Sequence, residues 1–227
     1  MRACVCVATH GKYITYRERL RKILAGQGET LISWGEHLPP GSPSHKDKPF
    51  AFKFHAVQEA LRRGYSTILW MDSSIIPVRP LTTLWALIES RGYWFSENLP
   101  HGKVGVAPWG TGTWTCDSAL APLGITREES FGIPHVIGTA FGLDMRWPIA
   151  QQFLRAWGEL ADGLAFCGPT TNVKGSASSD PRVLGHRHDQ TAASVVAWRL
   201  GMRLTTPPDW IVDGIPAAPN TILEIHR

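Results

Sequence analysis

Two short acidic sites stand out in this chain. The first is Asp72-Ser73-Ser74, which follows residues 66–71 (STILWM), a run that reads as a central β-strand. A strand of that kind delivers Asp72 at its C-terminal end, where ligands gather in open α/β sheets. The second is His188-Asp189-Gln190, just before an Ala/Val-rich segment, 191–200, of helical character. A carboxylate in that position is favoured simply as an N-cap, or it does chemistry as a charge stabiliser or base. His186, Arg187 and His188 add donors beside it, but HxHD lacks the i,i+4 spacing of a helical zinc site. Trp109 and Trp114, with Gly110 and Gly112 between them, form an aromatic loop ahead of Asp117. Such faces stack on sugars or extruded bases, or else form a satellite cluster under a long loop. There is no GxSxG, no P-loop and no GxGxxG after a strand, so the usual hydrolase, ATPase and dinucleotide-binding signals are absent.

The elements that must position these residues alternate in type. Residues 3–8 (ACVCVA) read as a buried strand that breaks at Thr9-His10-Gly11, and 16–25 as a basic helix. Residues 30–34 repeat the strand signal before a Pro/Gly/Ser-rich loop at 38–44. From Pro49 the period becomes 3.6, with Phe54, Val57, Ala60 and Leu61 on one face and Arg62-Arg63-Gly64 at the end. Further helices are expected at 81–91, at 126–129 and through Phe153, Leu154, Trp157 and Leu160. Further strands are expected at 92–96, 136–144 and 203–206. Residues 99–115 carry no period and read as a functional loop, and 167–181 as a mobile loop or lid. The alternation predicts an α/β architecture.

Composition narrows the class. The 227 residues are 43% hydrophobic and 19% charged, with ten Trp, enough for a complete core and too apolar for disorder. The balance of 23 Lys+Arg against 19 Asp+Glu gives +4, which suits an anionic ligand without establishing nucleic-acid binding. Cys4, Cys6, Cys116 and Cys167 form no CxxC pair and are expected to be buried thiols. No apolar run approaches the ~18 residues of a membrane helix, and the start lacks a small-residue cleavage site. The expectation is a soluble, cytoplasmic protein with no membrane span.

Lys48-Pro49 leading into Lys53 and an amphipathic helix, then Gly64-Tyr65, then Leu69-Trp70-Met71-Asp72-Ser73-Ser74, and later His188-Asp189-Gln190, together resemble the GT-A glycosyltransferases over residues 3–202. The resemblance implies a nucleotide-diphospho-sugar transferase fold, a Rossmann-like mixed sheet flanked by helices, in a single domain over residues 1–227. In that fold an Asp-x-Asp at a strand end holds a divalent cation on the donor diphosphate. Asp72 matches the first acid, and Ser74, a neutral and weaker ligand, replaces the second. The implied cofactors are Mn²⁺ or Mg²⁺ and a nucleotide-sugar, with a UDP-sugar favoured. His226 is the position that resembles a histidine completing the metal shell in some of these enzymes; a frayed-tail residue is the other reading. Lys53, Arg17 and Arg19 would pair with phosphates, although Lys53 also suits a solvated helix face. Thr9 would meet the nucleoside, and Gly138-Thr139 would lie under the sugar, where a glycine lets backbone approach closely. Asp189 and Gln190 would face the anomeric carbon, and retention is preferred over inversion.

The expected activity is transfer of a sugar to an acceptor hydroxyl, of a glycan or of a modified DNA base. The DNA alternative is a phage-type enzyme acting on hydroxymethylated pyrimidines. An alternative of another class is a sugar-nucleotide or glycan-binding protein that kept the fold and lost catalysis with the second acid.

Overall fold

A computed structural model describes residues 1–98, 110–206, 210–213 and 219–226. Trp109 and most of the aperiodic stretch before Trp114 lie outside the described residues. The chain runs β1 (Arg2–Val7), α1 (Lys12–Gly26), β2 (Leu31–Trp34), α2 (Phe52–Arg62), β3 (Thr67–Met71), β4 (Ile75–Pro77), α3 (Thr82–Arg91) and β5 (Tyr93–Trp94). It continues with α4 (Asp117–Leu123), α5 (Arg127–Gly132), β6 (Ala140–Asp144), α6 (Pro148–Asp162), α7 (His188–Arg199), β7 (Trp210–Asp213) and β8 (Thr221–Ile225).

Five strands form a mixed sheet in the order β2-β1-β3-β6-β5, with β1 parallel to β2 and β3 and with β6 antiparallel to β3 and β5. Its central strands are mostly apolar because both faces are covered. Ala3, Val5, Val7, Ile68, Trp70, Phe141 and Leu143 join α2, α6 and α7 on one side. Cys4, Cys6, Leu69, Met71 and Ala140 join α1 and α3 on the other. The period-2 alternation of the strands therefore feeds two separate cores. On the first side the rings of Trp70, Phe141 and Phe95 stack in series.

Gly158 of α6 sits against Phe54 of α2, so close that a β-carbon on it would lie 2.4 Å from the ring. Gly158→Ala is expected to lower stability by about 1 kcal/mol, because the overpacking penalty exceeds the helix-propensity gain. A thermal melt checks this, and an unchanged or raised Tm would contradict it.

Two departures from the sequence expectation bear on the site. The strand expected at 136–144 begins only at Ala140. Thr139 O still accepts from the Asp72 amide as the last bond of the β3–β6 pairing, but before it the carbonyls turn to side chains: Val136 O accepts from Gln190 and Gly138 O from Lys53. The C-terminal segment also forms a strand that was not expected, β8, which pairs antiparallel with β4 and parallel with β7. That pairing carries His226 back to the turn after Asp72, where its amide donates to Ser74 O at 2.9 Å.

Candidate active site

The parallel strands β1, β2 and β3 end at one edge of the sheet, and α2 and α7 begin there. β3 therefore presents Asp72, α2 brings Lys53 in its first turn, and α7 brings Asp189 in its own. Asp189 is not an N-cap: it stands inside the helix, after Arg187 and His188, and its side chain leaves the helix for Lys53.

Lys53 is the hub. Its buried ammonium lies 2.9 Å from Asp189 Oδ2, 3.2 Å from Asp72 Oδ1 and 2.8 Å from Gly138 O, so all three N–H donors are spent. It is therefore not a solvated helix residue. Its role is to tie three chain segments together. The Trp70 indole N–H donates to the same Asp72 oxygen at 2.9 Å, and the Trp157 indole donates to Asp189 O. Trp70 and Asp72 are two apart on one strand and share a face, a relation the sequence holds but does not advertise.

Gln190 Nε2 donates to Val136 O at 2.6 Å, and a β-carbon on Gly138 would meet the Gln190 side chain at 3.0 Å. The glycine thus permits close approach between residues 136–139 and the start of α7. The Thr139 hydroxyl is buried without a hydrogen-bond partner. Thr9 and Arg17 lie elsewhere along the same edge: Thr9 Oγ1 meets His10, and the Arg17 guanidinium packs on Gly35, which follows β2, and pairs with Glu18. Neither is bonded to the Lys53 cluster among the described residues.

Burial pushes the Asp189 carboxyl up to about 6, against the pull of Lys53. Burial also works against the Lys53 ammonium, but Asp189 and Asp72 outweigh it and hold lysine above its ordinary value. With Asp189 ionised, one ammonium faces two carboxylates and the cluster carries one net negative charge. The folded protein holds the Asp189 proton more tightly than the unfolded chain. Its stabilising contribution is therefore fully present below the ordinary carboxylate value near 3.8 and is lost as pH rises through about 6. A reaction that needs the carboxylate moves the other way. Turnover is expected to fall about tenfold per unit below pH 6 while this local contribution to stability grows. A pH–rate profile with no acid limb near 6 would contradict it.

The histidine cluster is bonded to neighbouring loop carbonyls. His186 Nε2 donates to Ala165 O at 2.9 Å, and burial lowers the imidazole to about 4. His188 Nδ1 donates to Phe166 O at 2.8 Å, which leaves Nε2 as the acceptor for Thr170 Oγ1. Trp114 is buried beneath the Arg187 guanidinium, 3.9 Å from its ring, so it offers no open stacking face. Residues 167–181, expected to be mobile, are tied internally by Asn172, whose side chain bonds Ser178, Val183 and Ala177.

For a hard divalent cation the donor set is lean. Asp72 Oδ2 meets no donor among the described residues, Ser74 is a neutral hydroxyl, and the His226 ring is turned to Glu224 at 3.0 Å. No three His, Cys, Asp or Glu side chains converge among the described residues. One carboxylate together with substrate phosphates and water is nonetheless a normal Mg²⁺ arrangement. The residual negative charge of the cluster favours such an ion, so Asp72 fits that role.

No protein-family model and no curated protein matches the sequence. Solved structures do match the fold. A glycosyltransferase involved in glycosylation of the major capsid of PBCV-1 superposes with a TM-score of 0.54 at 13% identity, over 98% of this chain and 92% of that one. Mouse xyloside xylosyltransferase 1 gives 0.52 at 8% identity, over 99% and 97%. The bifunctional glycosyltransferase WbbM gives 0.53 at 7%, over 98% of this chain and 45% of that one. No helix among the described residues is long and apolar enough to cross a membrane. With its mixed sheet flanked by helices, the chain has the GT-A glycosyltransferase fold.

Proposed function

We propose that this chain, as one domain over residues 1–227, transfers a sugar from a nucleotide-sugar, a UDP-sugar first, to an acceptor hydroxyl with retention at the anomeric carbon. The observation that carries the reading is the Lys53 bridge between Asp72 and Asp189 at the ligand-binding edge of a GT-A sheet. Asp72 orients the donor diphosphate from the end of β3, Arg17 pairs with a phosphate, and Thr9 takes the nucleoside side. Asp189 faces the anomeric centre, where a buried carboxylate stabilises oxocarbenium-like charge more strongly than one in water. Lys53 keeps that carboxylate ionised and aimed, and Gln190 and Gly138-Thr139 form the floor beneath the sugar. A Mn²⁺ or Mg²⁺ ion held by Asp72, with Ser74 and His226 beside it, supplies neutralising charge to the leaving diphosphate when bound.

A nucleic-acid acceptor is favoured by one feature. Helix α1 holds five cations (Lys12, Arg17, Arg19, Arg21, Lys22) and one acid, Glu18, a net of +4 that equals the charge of the whole chain. On it the exposed Lys12 lies over the Tyr13 and Tyr16 rings, and the half-buried Arg19 over Tyr16. A log-log salt dependence of DNA binding with a slope of several units supports this acceptor, and no binding at ~50 mM salt removes it.

The donor is tested by thermal shift against UDP-, GDP-, CMP- and dTDP-sugars with and without Mn²⁺. Ligand at ~100 times its dissociation constant adds ~2.7 kcal/mol of stability. A Mn²⁺-dependent shift with one nucleotide supports the donor reading and Asp72 as the cation anchor. No shift with any sugar nucleotide would count against both.

A further inference from the structure

Phe50 stands two residues before α2, and its backbone is left-handed, with φ of 64°. That region favours glycine, and a β-carbon in it costs stability. The cost is not returned as core burial, because Phe50 remains half-buried. What the conformation gains is a position: the ring lies 5.4 Å from the Lys53 ammonium and 5.5 Å from the His188 ring. His188, immediately before Asp189, is itself left-handed at φ 47°. Two strained non-glycine residues from separate segments therefore meet beside the buried Lys53–Asp189 pair.

The arrangement is held from both sides. The Phe50 amide donates to His45 Nδ1 at 3.2 Å, and the His45 ring packs edge-on against Phe50 at 4.7 Å. The Lys48 ammonium donates to Asp162 O, pinning the same segment to the end of α6. Both His188 ring nitrogens are engaged by Phe166 and Thr170, so this wall contributes an apolar face and no free donor. A half-buried aromatic ring beside the Lys53-bridged carboxylates matches a pyranose, whose C–H face packs on a ring while its hydroxyls donate to carboxylate oxygens.

We propose that Phe50 is a specificity-determining residue that packs against the transferred sugar of the donor. The proposal rests on the glycosyltransferase reading, since the part of a nucleotide-sugar that must lie beside Asp189 is the sugar and not the base. Strain kept for ligand binding has a signature: removing it leaves the fold intact and weakens the ligand. Phe50→Gly is therefore the informative variant, with Phe50→Tyr as the conservative control.

The test is calorimetric titration of the full chain with the nucleotide-sugar selected by the thermal-shift panel and with the matching nucleoside diphosphate. Phe50→Gly is expected to weaken the nucleotide-sugar about tenfold, leave the diphosphate within about twofold, and leave Tm unchanged or raised. Phe50→Tyr is expected to retain wild-type affinity for both. Equal weakening of both ligands, or a lowered Tm with sugar affinity unchanged, would overturn the assignment. Wild-type protein that binds the diphosphate and gains nothing from the sugar would overturn it too. Wild-type protein that binds neither would instead overturn the donor reading, and this assignment with it.

Discussion

Lys53→Met is expected to lower the unfolding free energy by about 3 kcal/mol at pH 7 and to abolish measurable sugar transfer. The ammonium offsets two carboxylates and satisfies one backbone carbonyl, all within 3.2 Å and with almost no access to water. Without it the cluster goes from one net negative charge to two, and the Gly138 carbonyl loses its donor. Breaking a buried pair by removing one partner costs about 3–5 kcal/mol, because an uncompensated charge stays behind. The protein has a partial escape: Asp189, already pushed up to about 6, takes up a proton at higher pH. The loss of stability should therefore shrink below pH 6, and any residual activity should shift its acid limb upward. Urea unfolding of both proteins at pH 5 and pH 7.5 measures this. An equal loss at the two pH values would show that the methionine acts through packing rather than charge.

Asp189→Asn is expected to cost 100- to 10,000-fold in turnover with stability changed by less than about 1 kcal/mol. The asymmetry with Lys53→Met follows from the charge count. Removing Asp189's charge leaves one ammonium against one carboxylate, a neutral cluster, and lifts the penalty that burial imposes on the carboxylate. Asparagine retains an acceptor for the Lys53 ammonium, so the bridge to α7 persists. Turnover falls because a neutral amide cannot stabilise positive charge at the anomeric carbon. Single-turnover rates with saturating donor, beside a thermal melt, separate the two effects. A variant that lost stability and activity together would assign Asp189 a structural role instead.

Much of the fold was legible because its central strands are buried on both faces. That is why ACVCVA and ILWM appear as unbroken apolar runs and why Asp72 stands out after the second of them. The 3.6 period of α2 put Phe54, Val57 and Ala60 on one face, and all three are core residues. Less was legible where pairing is remote. β4 and β8 are three and five residues long and about 150 positions apart, and neither is stable until the other is present. Residues 136–139 carry strand propensity, but the Gln190 and Lys53 side chains take the Val136 and Gly138 carbonyls, and only the assembled site makes that visible. Lys53 is legible as a candidate but its contacts are not, since the saturation of its three donors depends on α7 arriving from 136 residues downstream. Phe50 gave no signal at all: a phenylalanine before a helix reads as core, and only its backbone angle sets it apart.

The central claim, that this chain moves a sugar with Asp189 at the reacting carbon, is tested most directly by release of nucleoside diphosphate from the matching nucleotide-sugar, wild type against Asp189→Asn. Release by the wild type, lost in the variant while donor binding is retained, is the predicted result. Binding of the donor by both proteins with no release from either would contradict the claim and place the chain among sugar-nucleotide-binding proteins. Release at equal rates from both would remove Asp189 from the chemistry.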